Sequence, residues 1–313
     1  MQLISKPLLY GSSPLLKLLS LLLLILLSLL FTMVFGMALG FLFFGSDMLV
    51  IIKGGFVMSA PGSLAILKFL QTINTLGLFV FPPLIFASLV SEKPWQYLAM
   101  MRTPRLVDIF LGLSLIIVVL PFLHWLAGIN EMMEFPVWFS GIEDWMKQSE
   151  EQARQITELF LSTKTYSGLA VNLIMIAVLP AIGEEFLFRG ILQRLFQEWW
   201  KNVHLAVFIA TLLFSALHLQ FFGFLPRLVL GLFLGYLFVW TRSIWVPVIV
   251  HFFNNGIAVV AAWFYARGSI QTSSDSLGDM PETWIIILSF VITVLIIWMF
   301  WKGRDKKMGS TNE

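Results

Sequence analysis

Residues 167–189 read SGLAVNLIMIAVLPAIGEEFLFR, an apolar segment that ends in two glutamates and an arginine. The apolar character continues to about Trp200, and the whole stretch is longer than the ~20 residues needed to cross a bilayer. Other apolar segments of sufficient length occupy residues 18–44, 64–90, 106–127, 203–219, 224–241, 244–265 and 284–301. We therefore predict an all-α fold, a polytopic membrane bundle of about eight transmembrane helices.

The composition indicates that lipid is the solvent of this chain. It is 58% hydrophobic and 12% charged, with a mean hydropathy of +0.88, whereas a soluble domain carries roughly 25% charged residues. We therefore expect a multi-pass protein of the cell membrane. The net charge of +2 gives no reason to expect a nucleic-acid partner. The chain has no cysteine, which excludes disulfides, cysteine-ligated zinc and a cysteine nucleophile.

Loop charges predict the orientation. If there are eight spans, one side of the membrane carries most of the basic residues: Lys6, Lys17, Lys93, Arg102, Arg105, Arg194, Lys201, Arg242, Lys302, Arg304, Lys306 and Lys307. The positive-inside rule makes that side cytoplasmic, so both termini are expected inside. The acidic stretch 130–158 and Asp275, Asp279 and Glu282 are then outside. The even spread of charge and the absence of a targeting segment favour a bacterial origin.

Three parts of the chain can be distinguished. Residues 1–166 hold the first three spans and an acidic outer loop, in which an amphipathic helix is predicted to begin with a capping box at Ser140-Gly-Ile-Glu143. Residues 167–265 form the core that carries the polar motifs. Residues 266–313 hold the last span and a basic cytoplasmic tail.

Ionisable side chains inside apolar spans are the candidate functional residues, because such groups are costly at membrane depth. Glu185 and Arg189 are four residues apart, so this pair can neutralise itself on one helix face. Glu184 has no such local partner. Both Glu184 and His218 lie 17 residues from the turn at Lys201, or ~25 Å of helix, which predicts the same depth for both.

The residue types favour hydrolysis by activated water. A buried glutamate can act as general base, and a histidine can share the proton or pass it to a leaving amine. His251 and Asn255, one turn apart, can stabilise an oxyanion. An alternative that the sequence leaves open is a divalent metal, such as zinc, ligated by Glu184, His218 and His251. Neither His-Glu-x-x-His nor Gly-x-Ser-x-Gly occurs, so the usual zinc-protease and serine-hydrolase motifs are absent.

Three motifs on successive helices resemble the signature of a known family: Glu184-Glu185-x-x-x-Arg189, Phe214-x-x-x-His218 and His251-x-x-x-Asn255. The sequence is similar here, over about residues 167–258, to the CAAX protease and bacteriocin-processing (CPBP) family. This family comprises type II CAAX prenyl endopeptidases and bacterial Abi proteins. The resemblance implies an intramembrane endopeptidase.

The resemblance also implies roles for the motif residues. Glu184 would be the catalytic base and His218 would help to activate water, while His251 and Asn255 would form the oxyanion hole. Glu185 and Arg189 would be structural or accessory. Family members are often described as metalloproteases, but glutamate-dependent catalysis without metal fits the same residues, and we favour it.

The expected partners are the lipid bilayer and a membrane-associated peptide or protein substrate; in a bacterium we do not expect a prenylated one. Two other classes of function remain open. One is a non-catalytic or regulatory member of the family, such as a bacteriocin-immunity protein. The other is a proton-coupled transporter, because glutamate and histidine chains also serve pumps.

Overall fold

The computed structural model describes residues 6–49, 63–133, 136–270 and 282–309, with side chains given up to residue 303. Every regular element in these ranges is helical, which confirms the predicted all-α bundle. The outer acidic residues Asp275 and Asp279 and the basic tail residues Arg304, Lys306 and Lys307 fall outside the part whose side chains are described.

The long helices follow the predicted spans closely. In chain order they are α1 (Pro14–Phe44), α2 (Ser63–Val90), α3 (Leu106–Glu131), α4 (Ser140–Leu161), α5 (Tyr166–Trp200), α6 (Val203–Ala216), α7 (Phe224–Thr241), α8 (Trp245–Ala266) and α9 (Thr283–Gly309). Within the described residues, seven of these are long and apolar enough to cross a membrane, and α6 is a shorter apolar helix. Only α4 is polar, so the prediction of about eight spans holds.

The outward-facing surface of α1 fits a hydrocarbon environment. Leu22, Leu26 and Leu30 are each more than half exposed, and such a stripe would be unfavourable in water. The opposite face packs on the bundle through Leu21, which is fully buried. Lys17 at the start of the helix donates to the Glu198 carboxylate at 2.7 Å. This ion pair joins α1 to the end of α5 on the predicted cytoplasmic side.

The amphipathic helix α4 is present, but its predicted capping box is wrong. Phe139 rather than Ser140 is the N-cap, because a 3₁₀ turn at Val137–Phe139 leads directly into the helix. Glu143 forms an ion pair with Lys147 at 2.6 Å instead of reaching back to the helix start. The helix therefore begins through backbone geometry and continues with an i,i+4 charge pair on its polar face.

Polar contacts fasten the end of α4 to the bundle. The Asn172 side-chain amide in α5 donates to the Phe160 carbonyl at 2.7 Å, and its oxygen accepts from Lys68 Nζ in α2 at 2.7 Å. The side chains of Ile156 and Leu159 pack beside Phe160 in a small apolar cluster. The apolar face predicted for this helix is therefore the face that contacts the core.

The helix α5 lies at the centre, and its middle is the most deeply buried part of the chain. Glu185, Leu187, Phe188, Arg189 and Ile191 are each at most 2% exposed. The neighbouring helix α7 approaches closely because residue 231 is glycine. A Cβ there would stand 2.6 Å from Thr211 Cγ2 and 3.5 Å from Arg189 Nη2. Any larger residue would push α7 away from the polar groups on α5.

Candidate functional site

The helix α5 is irregular on both sides of the two glutamates. Two π-helical stretches, Leu173–Val178 and Phe186–Leu192, flank the α-helical turn Leu179–Glu185. Such stretches are rare and often occur at functional sites, because an extra residue in a turn re-aims the side chains around it. Here they determine the direction in which Glu184 and Glu185 project from the helix.

Proline 180 explains the position of Asn255. In a regular helix the N–H of residue 180 would bond the carbonyl of Ile176, but proline has no N–H to give. The side-chain amide of Asn255 in α8 donates to that carbonyl at 3.2 Å. Asn255 therefore satisfies a backbone oxygen freed by Pro180 and holds α8 against α5, while its second amide hydrogen has no carbonyl partner among the described residues.

Glu185 sits between a cation and an imidazole. Its Oε1 accepts from Arg189 Nη1 at 2.9 Å and from His251 Nδ1 at 2.9 Å. The side chains of Glu185, Arg189 and His251 are at most 4% exposed. The ion pair predicted between Glu185 and Arg189 is therefore formed, but Glu185 also fixes His251, which the sequence did not indicate.

The guanidinium of Arg189 is shared among three helices. The Arg189 Nη2 donates to the carbonyl of Gly231 in α7 at 3.0 Å. The central guanidinium carbon, Cζ, lies 4.7 Å from the centre of the Phe214 ring in α6. Together with Glu185, the guanidinium neutralises and positions one side of the site. The structural or accessory role of Arg189 stays a prediction.

Glu184 and His251 face each other across a short gap. Glu184 Oε2 lies 3.9 Å from His251 Nε2, and Glu184 makes no hydrogen bond to the described residues. Because His251 Nδ1 donates to a carboxylate, Nε2 of the neutral imidazole is the atom with the free lone pair. A separation of 3.9 Å is too long for a hydrogen bond, but one bridging water can span it.

His218 lies just beyond the end of α6, and one of its ring nitrogens already forms a hydrogen bond. Its Nδ1 donates to the Phe214 carbonyl at 2.7 Å, so Nε2 is again the free acceptor. Its ring packs edge-on against Phe214 with the ring centres 4.9 Å apart, and the Phe214 ring also contacts His251, with the ring centres 6.0 Å apart. In the described part of the chain, no hydrogen bond or ion pair joins His218 to Glu184.

The predicted residues thus divide into two groups. Glu184, Glu185, Arg189 and His251 contact or closely approach one another, whereas His218 contacts the Phe214 ring and forms no hydrogen bond or ion pair with this group among the described residues. The pairing of Glu184 with His218 was predicted from equal depth along two helices, but the nearer imidazole is His251. The reason is that α8 packs along α5 at the level of the glutamates.

Sequence reasoning missed Arg227, in the first turn of α7. Its guanidinium donates to Gln220, two residues after His218, and Arg227 lies one helix turn before Gly231, whose carbonyl accepts from Arg189. An arginine near the end of a span is usually interpreted as reaching the membrane surface, so the residue type alone does not indicate a place in the site. The useful signal would have been its position only nine residues after His218 in the sequence.

The metal alternative does not fit this arrangement. Among the described residues, no three His, Asp or Glu side chains lie close enough together to hold an ion, and Glu184, His218 and His251 are therefore not arranged as a ligand set. Glu184 and His251 are adjacent, but no hydrogen bond or ion pair joins His218 to either of them in the described ranges.

Comparison with known proteins finds similarity in the same region of the chain that carries the three motifs. Residues 166–257 match the family model "Type II CAAX prenyl endopeptidase Rce1-like", and this segment contains all six predicted site residues. A curated protein of Bacillus subtilis (strain 168), "Uncharacterized protein YpbD", is 28% identical over 102 residues. That alignment covers 31% of this chain and 49% of YpbD, so the chain spans about half the length of the curated relative.

No solved structure matches the chain. The family match agrees in position and order with the three motifs recognised in the sequence, and it confirms the resemblance that they predicted. The segment from residue 166 to residue 257 is therefore similar to the Rce1-like type II CAAX prenyl endopeptidase family.

Proposed function

We propose that this protein is an intramembrane endopeptidase that hydrolyses peptide bonds of membrane-associated peptides or proteins. The family match suggests protease activity of the CAAX type. The observation that carries the proposal is the set Glu184–His251–Glu185, in which the His251 imidazole is held by the Glu185 carboxylate and faces the Glu184 carboxylate at 3.9 Å. These groups lie in membrane helices, where each would be costly without a function.

The proposed reaction begins with a water molecule between Glu184 and His251. Glu184 Oε2 takes one proton as the water oxygen attacks the carbonyl carbon of the peptide bond, and a tetrahedral oxyanion forms. The proton then passes to the amide nitrogen, directly from Glu184 or through a histidine Nε2. The C–N bond breaks, and the products are a carboxylic acid and an amine. General acid–base catalysis of this kind contributes ~10²–10⁴-fold to the rate.

The remaining polar side chains of the site would assist this reaction. Glu185 keeps the Nδ1 proton on His251, so that Nε2 can accept from water. The second amide hydrogen of Asn255 is available to an oxyanion, a contribution of ~10²–10³-fold for one donor. His218, with its free Nε2, would help to move protons between water and the leaving amine.

The location of the site implies how a substrate enters it. The two glutamates lie near the middle of α5 between apolar helices, so a substrate segment must enter from the membrane or from one of its faces. We further infer that the protein resides in a bacterial cell membrane with both termini cytoplasmic, because the loop charges favour that orientation.

The proposal is tested with purified protein in liposomes and a library of membrane peptides, with products identified by mass spectrometry. Wild-type protein should cleave internal peptide bonds, and Glu184→Gln should lose ~10²–10⁴-fold in rate while remaining folded. A parallel series with a chelator, followed by added zinc, separates metal-free from metal-dependent cleavage. If wild type cleaves nothing, or if Glu184→Gln keeps wild-type activity, the proposed function is wrong.

A further inference from the structure

Arg227 is a charged side chain beside the site that the proposed reaction does not use. It lies in the first turn of α7 and is partly buried. Its guanidinium donates twice to one neutral residue: Nη1 to the Gln220 carbonyl at 3.2 Å, and Nη2 to Gln220 Oε1 at 2.8 Å. A guanidinium has five N–H donors, so three have no hydrogen-bond partner among the described residues.

No carboxylate forms an ion pair with Arg227 in the described part of the chain. This holds for Glu150 of α4, although that residue reaches the same loop. Glu150 instead accepts from the Phe222 N–H at 3.4 Å. An arginine that is partly removed from water and lacks an anion at contact distance is costly, and this cost indicates a ligand.

The position of Arg227 indicates which ligand. Its guanidinium donates to Gln220, two residues after His218, and Arg227 stands one helix turn before Gly231, whose carbonyl accepts from Arg189. Arg227 therefore lies beside the loop that carries one of the groups proposed to move protons. A peptide bound across these groups would bring its neighbouring residues to the guanidinium. A planar guanidinium with several free N–H donors matches a carboxylate, which it can bind through two parallel hydrogen bonds.

We propose that Arg227 binds a carboxylate of the peptide substrate close to the scissile bond, an inference that rests on the proposed endopeptidase function. The carboxylate has two chemical sources. One is the free C-terminus of a substrate that is cleaved near its end, and the other is an Asp or Glu side chain beside the scissile bond. In either case Arg227 makes the site selective for a substrate with a negative charge at that position.

The test measures binding rather than cleavage, so that it does not depend on turnover. A short apolar peptide without Asp or Glu is labelled at its N-terminus and prepared in three forms: with a free C-terminal acid, with a C-terminal amide, and as the amide with one Glu. The dissociation constants are measured by fluorescence anisotropy on purified wild-type protein and its variants. The variants are Arg227→Gln, Arg227→Lys and, as a matched charge-loss control on the outer helix, Arg154→Gln.

Wild type should bind at least one carboxylate-bearing form roughly 10- to 100-fold more tightly than the plain amide, the range for a hydrogen bond to a charged group. Arg227→Gln should remove that preference, Arg227→Lys should retain part of it, and Arg154→Gln should leave it unchanged. Tight binding of the C-terminal acid alone assigns the C-terminus as the ligand, and tight binding of the Glu peptide assigns a side chain.

Equal binding of all three forms by wild type overturns the inference, as does a preference that survives in Arg227→Gln or an absence of binding to every form. The two proposals fail separately. Preferential binding that depends on Arg227, without cleavage, keeps the carboxylate site and rejects the peptidase. Cleavage without any preference keeps the peptidase and rejects the carboxylate site.

Discussion

Replacing Glu185 with glutamine should destabilise the protein far more than the same change at its neighbour Glu184. Glu185 Oε1 accepts from Arg189 and from His251, both at 2.9 Å, in a region that is almost completely buried. Glu185→Gln leaves the Arg189 charge buried without an anion, and breaking a buried pair in this way costs about 3–5 kcal/mol. Glu184 makes no hydrogen bond to the described residues, so Glu184→Gln should cost less than about 1 kcal/mol.

The free energy of unfolding can be measured in mixtures of detergent and SDS for both variants and wild type. A double variant supplies the control, because Glu185→Gln with Arg189→Met removes the stranded charge as well as its partner. The two changes should couple by at least about 1 kcal/mol, so that the double variant is more stable than the sum of the single changes. Equal effects of Glu185→Gln and Glu184→Gln, or additive effects in the double variant, would refute the role assigned to Glu185.

Other predictions concern Asn255 and the topology. Asn255→Ala should lower kcat by ~10²–10³-fold with KM nearly unchanged, and it should reduce stability by about 1–3 kcal/mol because the Ile176 carbonyl loses its donor; steady-state kinetics that change KM alone would contradict the oxyanion role. In a Pro180→Ala background the backbone N–H can bond Ile176 again, so the stability loss from Asn255→Ala should shrink; an undiminished loss in unfolding measurements would refute this explanation. A cysteine placed at Glu150 in this cysteine-free chain should react with a membrane-impermeant reagent from outside only, and labelling from the cytoplasm alone would reverse the topology.

The spans could be predicted because each is a local property of the sequence. Apolar length determines whether a helix can cross a membrane, and the boundaries agree closely with those observed. The Glu185–Arg189 pair was predictable for the same reason, since both residues lie on one helix face. The capping box at Ser140 failed because the preceding 3₁₀ turn, rather than a side chain, sets the start of α4.

The arrangement of the site was only partly predictable, because it depends on contacts between helices. Assigning Glu185 to Arg189 suggested that its carboxylate was fully used, although one carboxylate oxygen can accept two hydrogen bonds. Its second donor, His251, is 66 residues away in the sequence. Depth along the helices placed Glu184 level with His218, but depth says nothing about rotation around each helix, and rotation brings His251 closer.

Pro180 and Asn255 are related in a way that local sequence patterns do not reveal. The absence of an N–H on Pro180 frees the carbonyl of Ile176, and a side-chain amide on a neighbouring helix is a natural donor for such an oxygen. Asn255 fills this position. The sequence contained both residues, but the link between them becomes visible only when α8 is seen packed against α5.

The central claim is that Glu184 and His251 act on one water molecule, and single-turnover cleavage by four proteins tests it most directly. The proteins are wild type, Glu184→Gln, His251→Gln and the double variant, each confirmed as folded and assayed on one peptide in liposomes. Because both groups serve one step, each single variant should lose ~10²–10⁴-fold in rate, and the double variant should be scarcely slower than the slower single one. Losses that multiply in the double variant, or a Glu184→Gln protein that cleaves at the wild-type rate, would contradict the claim.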